Sequence, residues 1–190
     1  MKDATFMGLT FQNFANLNSV GVGLLFLLTI ILLLGFFYNK SIKNILTHKV
    51  KYEDYLWILI LFLGISIIGA NMYAYVWGDY PCELCWYQRI LIYPMIIIAI
   101  SELFLKTRLA HKFIGVFAGL TFALASYHYY HHFQKYVLGK TVIMPCDGAS
   151  GLPNCSEAMV SFGFVTMPLM SMIVAIFVAT MAYFMGKAVR

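Results

Sequence analysis

Val20-Gly21-Val22-Gly23-Leu24-Leu25-Phe26-Leu27-Leu28-Thr29-Ile30-Ile31-Leu32-Leu33-Leu34-Gly35-Phe36-Phe37-Tyr38 carries no charge anywhere along its length. A helix needs about 20 mostly apolar residues to cross the hydrocarbon of a bilayer, so this run is long enough to span one. Four later segments have the same character, and the expected spans are roughly 19–38, 55–77, 86–105, 112–134 and 162–185. The second has Trp57 and Trp77 near its ends, where interfacial anchors belong. The fourth is the least apolar, with aromatics and histidines crowding Tyr127–Phe133. Hydrophobic residues make up 62% of the chain and charged residues 11%, against about 45–50% and about 25% in globular proteins. So few charges cannot keep a surface soluble in water. The expected fold class is all-α, a polytopic membrane protein, with lipid as its solvent and no internal repeat.

The formal charge of +5 does not build a nucleic-acid patch, because the basic residues sit in short clusters between apolar runs. Lys40, Lys43, Lys49 and Lys51 follow the first span, Lys106, Arg108 and Lys112 follow the third, and Lys187 and Arg190 follow the fifth. Only Lys2, Arg89, Lys135 and Lys140 lie on the other side. Cytoplasmic loops hold the excess of Lys and Arg, which puts the N-terminus outside and the C-terminus in the cytoplasm. The first apolar run is expected to be an uncleaved helix. It begins near residue 20 behind a polar region with a single Lys2, and no A-x-A site follows it.

This orientation leaves all four cysteines outside: Cys82 and Cys85 before the third span, Cys146 and Cys155 before the fifth. Disulfides persist on that side of a membrane and are rare in the cytosol. Cys82-Glu83-Leu84-Cys85 is a C-x-x-C pair directly before a helix. Unsatisfied N–H groups and the helix dipole there favour a thiolate. Arg89 follows Cys85 by four residues on the same helical face, placed either to stabilise an anion or to reach lipid phosphate. Cys146 and Cys155 enclose Asp147-Gly148-Ala149-Ser150-Gly151-Leu152-Pro153-Asn154, a turn-rich stretch that suits a small, exposed and labile disulfide ring. The competing readings are two structural staples on a membrane scaffold, or zinc. A Cys₄ zinc site suits the first pair's spacing but not the second's, and no metal is expected. A disulfide relay that oxidises must discharge electrons to a more oxidising sink, such as a lipid-soluble quinone. The cysteines alone leave open the reverse flow, an outward thiol reductase.

Pro81-Cys82-Glu83-Leu84-Cys85-Trp86-Tyr87-Gln88-Arg89-Ile90-Leu91-Ile92-Tyr93-Pro94 resembles the DsbB family of quinone-dependent, disulfide-generating membrane proteins, and within it the BdbC-like branch. Pro145-Cys146 through Cys155, then Phe162-Gly163-Phe164-Val165-Thr166-Met167-Pro168, form a second similar block, so the resemblance covers about 55–185. It implies a four-helix transmembrane bundle in a bacterial cytoplasmic membrane, oxidising a DsbA-like thioredoxin-fold partner at the expense of ubiquinone or menaquinone. The implied catalytic residues are Cys82, Cys85, Cys146 and Cys155. The partner would attack Cys146, Cys155 would exchange with Cys82, and Cys85 would face the quinone. Arg89 and His128 are the implied quinone contacts, with His131 and His132 crowding the same register. Pro94 is expected to kink the third span. Residues 1–50 would be an additional N-terminal transmembrane helix with a basic loop, and 51–190 the redox domain. The ring between Cys146 and Cys155 is shorter than in relatives with a long second loop.

Overall fold

A computed structural model describes residues 8, 10–144, 146–147, 151, 153–157 and 159–189. Lys2 and Arg190 of the charge pattern, and Pro145, 148–150 and Leu152 of the second cysteine loop, lie outside the described residues. Five long helices dominate: α1 (Phe11–Tyr38), α3 (Tyr52–Trp77), α4 (Glu83–Leu105), α5 (Ala110–Tyr136) and α6 (Met167–Ala188). A short α2 (Lys40–Asn44) and a π turn (Ile45–Lys49) join α1 to α3. The protein is an all-α polytopic membrane protein, with one small addition. Val160–Ser161 (β1) and Val165–Thr166 (β2) pair antiparallel just before α6.

Local chemistry sets the helix ends. The Thr10 hydroxyl accepts from the Asn13 N–H at 3.2 Å and starts α1 eight residues ahead of its expected beginning. The Asp54 carboxylate accepts from the Lys51 N–H at 2.9 Å, so it caps α3 from inside the first turn. Gly78 ends α3 in the left-handed region at φ 68°, a conformation without steric cost only for glycine. The last helix begins at Met167 rather than near 162. Phe162 and Gly163 both take positive φ in the hairpin loop, and Pro168 then sits in the first turn, where its missing N–H costs nothing.

α1, α3, α4 and α6 are long and apolar enough to cross a membrane. The remaining expected span, 112–134, forms α5. At 27 residues it is long enough, but its composition is more polar. Three of its polar side chains are turned inward: Thr121, His128 and His132 are all buried. The main apolar core joins α3, α4, α5 and α6 through Leu59, Leu63, Ala99, Ile114, Ala118 and Val178.

Contacts also define two ends of the bundle. At one end Phe36 stacks on Phe184 at 5.0 Å and Tyr52 meets His111 at 6.4 Å, beside most of the lysines. At the other, Phe11 and Phe14 of α1 pack on Tyr73 and Trp77 of α3. Trp77 is therefore not a lipid-facing anchor. It is 1% exposed, enclosed by the rings of α1, whereas Trp57 is exposed. All four cysteines lie at this second end. α4 continues through Pro94 as one helix.

Candidate active site

Cys82 is the residue from which α4 starts, and Cys85 lies in the first turn. Both are free cysteines, with their sulfurs 3.3 Å apart and hydrogen-bonded. Cys146 and Cys155 form a disulfide. The two pairs are not separate features, because Cys82, Cys155 and Met144 make one buried cluster with Cys85 and Cys146 packed against it. Sequence spacing could not give this contact, since it depends on how the second loop folds over the head of α4. Asp147 helps hold that loop. Its carboxylate accepts from the backbone N–H of Met144 at 2.8 Å and of Ser156 at 2.9 Å, tying the ring's two flanks together. Burial opposes its ionisation, but these hydrogen bonds outweigh it and hold the carboxyl below its usual range. Sequence reasoning overlooked Asp147, although an aspartate beside a cysteine in a turn-rich loop is a fair signal for an Asx-type brace.

The histidines on α5 reach into the same cluster. His128 is fully buried, and one of its ring nitrogens lies with the Cys82 and Cys85 sulfurs, all three within 4.8 Å of one another. His128 Nε2 is 3.1 Å from the Cys155 carbonyl oxygen and His132 Nε2 is 2.7 Å from that same oxygen. A carbonyl can only accept, so both Nε2 atoms carry the proton. His128 Nδ1 lies 3.2 Å from the Gln88 side-chain amide nitrogen. Two donors on one oxygen clamp the backbone of Cys155 above the C-x-x-C pair. His131 instead packs on Tyr127 and Tyr130.

The Cys82 thiol is pushed down to about 5. The largest cause is the hydrogen bond that Cys85 donates to the Cys82 thiolate. Burial opposes it, and the His128 ring then adds a further lowering.

A cavity of about 920 Å³ opens beside Cys82 and Cys85 and runs between α1, α3, α4 and α6. Gln88 and Arg89 line it near the cysteines, and Leu25, Phe62, Ile92 and Val174 line it further along the bundle. Arg89 is not extended toward lipid. Its guanidinium donates to the Ala70 carbonyl at 2.8 Å and to Asn71 Oδ1 at 3.2 Å on α3, and lies 5.5 Å from the Trp86 ring centroid. His132, not His128, is the α5 histidine on the cavity wall, and Pro94 is not part of it. The buried Ser171 hydroxyl, also on the wall, has no hydrogen-bond partner among the described residues. The volume suits a small organic molecule. One polar end and one apolar run suit an amphiphile with hydrogen-bond acceptors at its head.

This is a polytopic membrane protein with two cysteine pairs gathered at one end of its bundle, beside an amphipathic cavity. The family model for "Disulfide bond formation protein DsbB" matches residues 53–185, and the chain belongs to that family. The chain is 31% identical over 122 residues to "Disulfide bond formation protein C" of Bacillus subtilis, covering 64% of this chain and 83% of that protein. It is 32% identical over 124 residues to a "Probable disulfide formation protein" of Oceanobacillus iheyensis, covering 64% and 81%. A protein of the same description from Coxiella burnetii is 32% identical over 110 residues, covering 57% and 71%. No solved structure matches the chain. The protein is thus a membrane oxidoreductase of the disulfide-forming class, and α1 precedes the residues that the family model matches.

Proposed function

We propose that this protein reoxidises a soluble, DsbA-like thioredoxin-fold dithiol carrier and passes the electrons to ubiquinone or menaquinone. In this reading the cysteine end faces outward from a bacterial cytoplasmic membrane, and the lysine-rich end and the C-terminus face the cytoplasm. The supporting observation is the packing of both cysteine pairs into one cluster on the rim of the cavity.

The exchanges balance as follows. A carrier thiolate attacks Cys146, breaking the Cys146–Cys155 bond and releasing Cys155 as a thiolate. The carrier's second thiol resolves the mixed disulfide, leaving oxidised carrier and a Cys146 thiol. With Cys82–Cys85 in its disulfide form, Cys155 attacks Cys82 and releases Cys85. Cys146 then attacks Cys155, which restores the Cys146–Cys155 disulfide and releases Cys82. A quinone held in the cavity would supply the sink for the two electrons and two protons of the Cys82 and Cys85 thiols. Arg89 would hold a ring oxygen at the Cys85 end of the cavity, with the apolar run taking the tail. His128 and His132 keep Cys155 over Cys82, and Asp147 keeps the ring presented to the carrier.

The test combines purified protein, a reduced thioredoxin-fold carrier and a soluble quinone, following quinone absorbance. Cys85→Ser and Cys146→Ser should each abolish turnover. Undiminished turnover in either would overturn the relay.

A further inference from the structure

α1 lies outside the matched family residues, yet it borders the cavity. Resting on the quinone reading above, we infer that α1 is a working wall of the quinone site. In it, Asn18 positions the Tyr73 hydroxyl as a second hydrogen-bond donor to the ring, complementing Arg89.

α1 is pinned at both ends. Phe14 packs on Trp77 at 4.8 Å at the cysteine end, and Phe36 packs on Phe184 at 5.0 Å at the other. Between these contacts, Asn18, Gly21, Val22 and Leu25 recur with helical spacing, and all four line the cavity. A Cβ built on Gly21 would meet nothing within 4 Å, so the missing side chain is open volume rather than a tight helix contact.

The polar contact points the same way. Asn18 Nδ2 donates to the Tyr73 hydroxyl oxygen at 3.0 Å. That uses the oxygen as an acceptor and leaves its proton for another partner, on a side chain only 2% exposed that lines the cavity. Buried donors are normally satisfied, so a ligand oxygen is a fitting acceptor. Asn18 and Arg89 also converge on adjoining residues of α3. A Cβ on Gly69 would lie 4.0 Å from Asn18 Oδ1, and the next residue, Ala70, takes the Arg89 guanidinium. A quinone ring has two carbonyl oxygens, and the cavity provides two separate donors, Tyr73 on α3 beside Asn18 of α1 and Arg89 on α4.

The experiment uses the full chain in detergent and an azidoquinone photolabel, with labelled peptides mapped by mass spectrometry. Label on peptides from 11–38 is expected, alongside label on α4. Label confined to α3–α6 would overturn the inference. In parallel, Gly21→Trp should raise the quinone KM at least tenfold and suppress labelling. The quinone-independent oxidation of reduced carrier by Cys146–Cys155 should remain, which shows that the variant is folded. Asn18→Leu and Tyr73→Phe should each raise KM several-fold with a smaller change in kcat. A KM unchanged in all three, with wild-type turnover intact, would remove α1 from the site while leaving the proposed function standing. Wild-type protein that neither binds the label nor reduces quinone would overturn both.

Discussion

Titrating Cys82 separates a relay thiol tuned by its neighbours from an ordinary buried cysteine. Its pKa of about 5 means that the thiolate is present above that pH and is lost as pH falls through it. An ordinary thiol near 8.5 is only about 3% ionised at pH 7, so Cys82 has roughly a 30-fold advantage in thiolate there. Intrinsic nucleophilicity falls with pKa at β of about 0.4–0.5, and over about 3.5 units this takes back roughly 25- to 60-fold. The two effects cancel near neutrality. At pH 6 they do not: the thiolate advantage is about 300-fold, leaving a net rate roughly five- to tenfold above an ordinary thiol. The assay is iodoacetamide alkylation of the reduced protein from pH 4.5 to 9, with mass spectrometry resolving Cys82 from Cys85. A midpoint near 5 with a plateau above pH 6 is expected. Cys85→Ala removes the largest cause and should raise the midpoint most, and His128→Phe should raise it less. A wild-type midpoint at 8–9, or the opposite order of the two variants, would refute the account.

Three further outcomes follow from particular contacts. Arg89→Met should raise the quinone KM about tenfold or more, the worth of one charge-assisted hydrogen bond of roughly 1.5–3 kcal/mol, while carrier oxidation by Cys146–Cys155 persists. Equal loss at both steps would show that the Ala70 and Asn71 contacts serve structure alone. His128→Phe should accumulate a Cys82–Cys155 disulfide during turnover, visible by non-reducing peptide mapping, and absence of that species would count against a part for His128 in expelling Cys82. Gly186→Val places a Cβ 2.9 Å from His111 Cδ2, and such overpacking should cost roughly 1–3 kcal/mol in thermal unfolding. His111→Ala should relieve it, and an additive loss would contradict the contact.

The helices were legible because lipid demands long apolar runs, and the C-x-x-C pair was legible because three-residue spacing and a helix start are both local. What stayed hidden was non-local. Arg89 reads equally well as a lipid contact or a site residue until Ala70 and Asn71 are seen to hold it. Trp77 reads as an interfacial anchor until Phe11 and Phe14 cover it. His128 and His132 differ by about one turn of α5, so both reach the Cys155 carbonyl, and no periodicity could say which one also borders the cavity. α5 was the weakest span by composition because its inward face carries this polar cluster. The shift of α6's start from 162 to Met167 came from positive φ at Phe162, a residue type that seldom adopts it.

The low Cys82 pKa bears on the direction of flow more than on speed of attack. When Cys82 and Cys155 are joined, two thiols compete. Cys85 can attack Cys82 and return the electrons to Cys155, or Cys146 can attack Cys155 and release Cys82. The leaving group with the lower pKa departs faster. Cys82 leaves into a hydrogen bond from Cys85 and the neighbourhood of His128. On the Cys155 side, both histidine Nε2 protons are committed to its carbonyl oxygen rather than its sulfur. The cluster thus favours expelling Cys82, which restores the carrier-facing disulfide and leaves the electrons on the pair beside the cavity. A reductase working outward would need the opposite bias, with Cys155 as the better leaving group. A readily expelled Cys82 is what the proposed oxidising relay requires of this cluster.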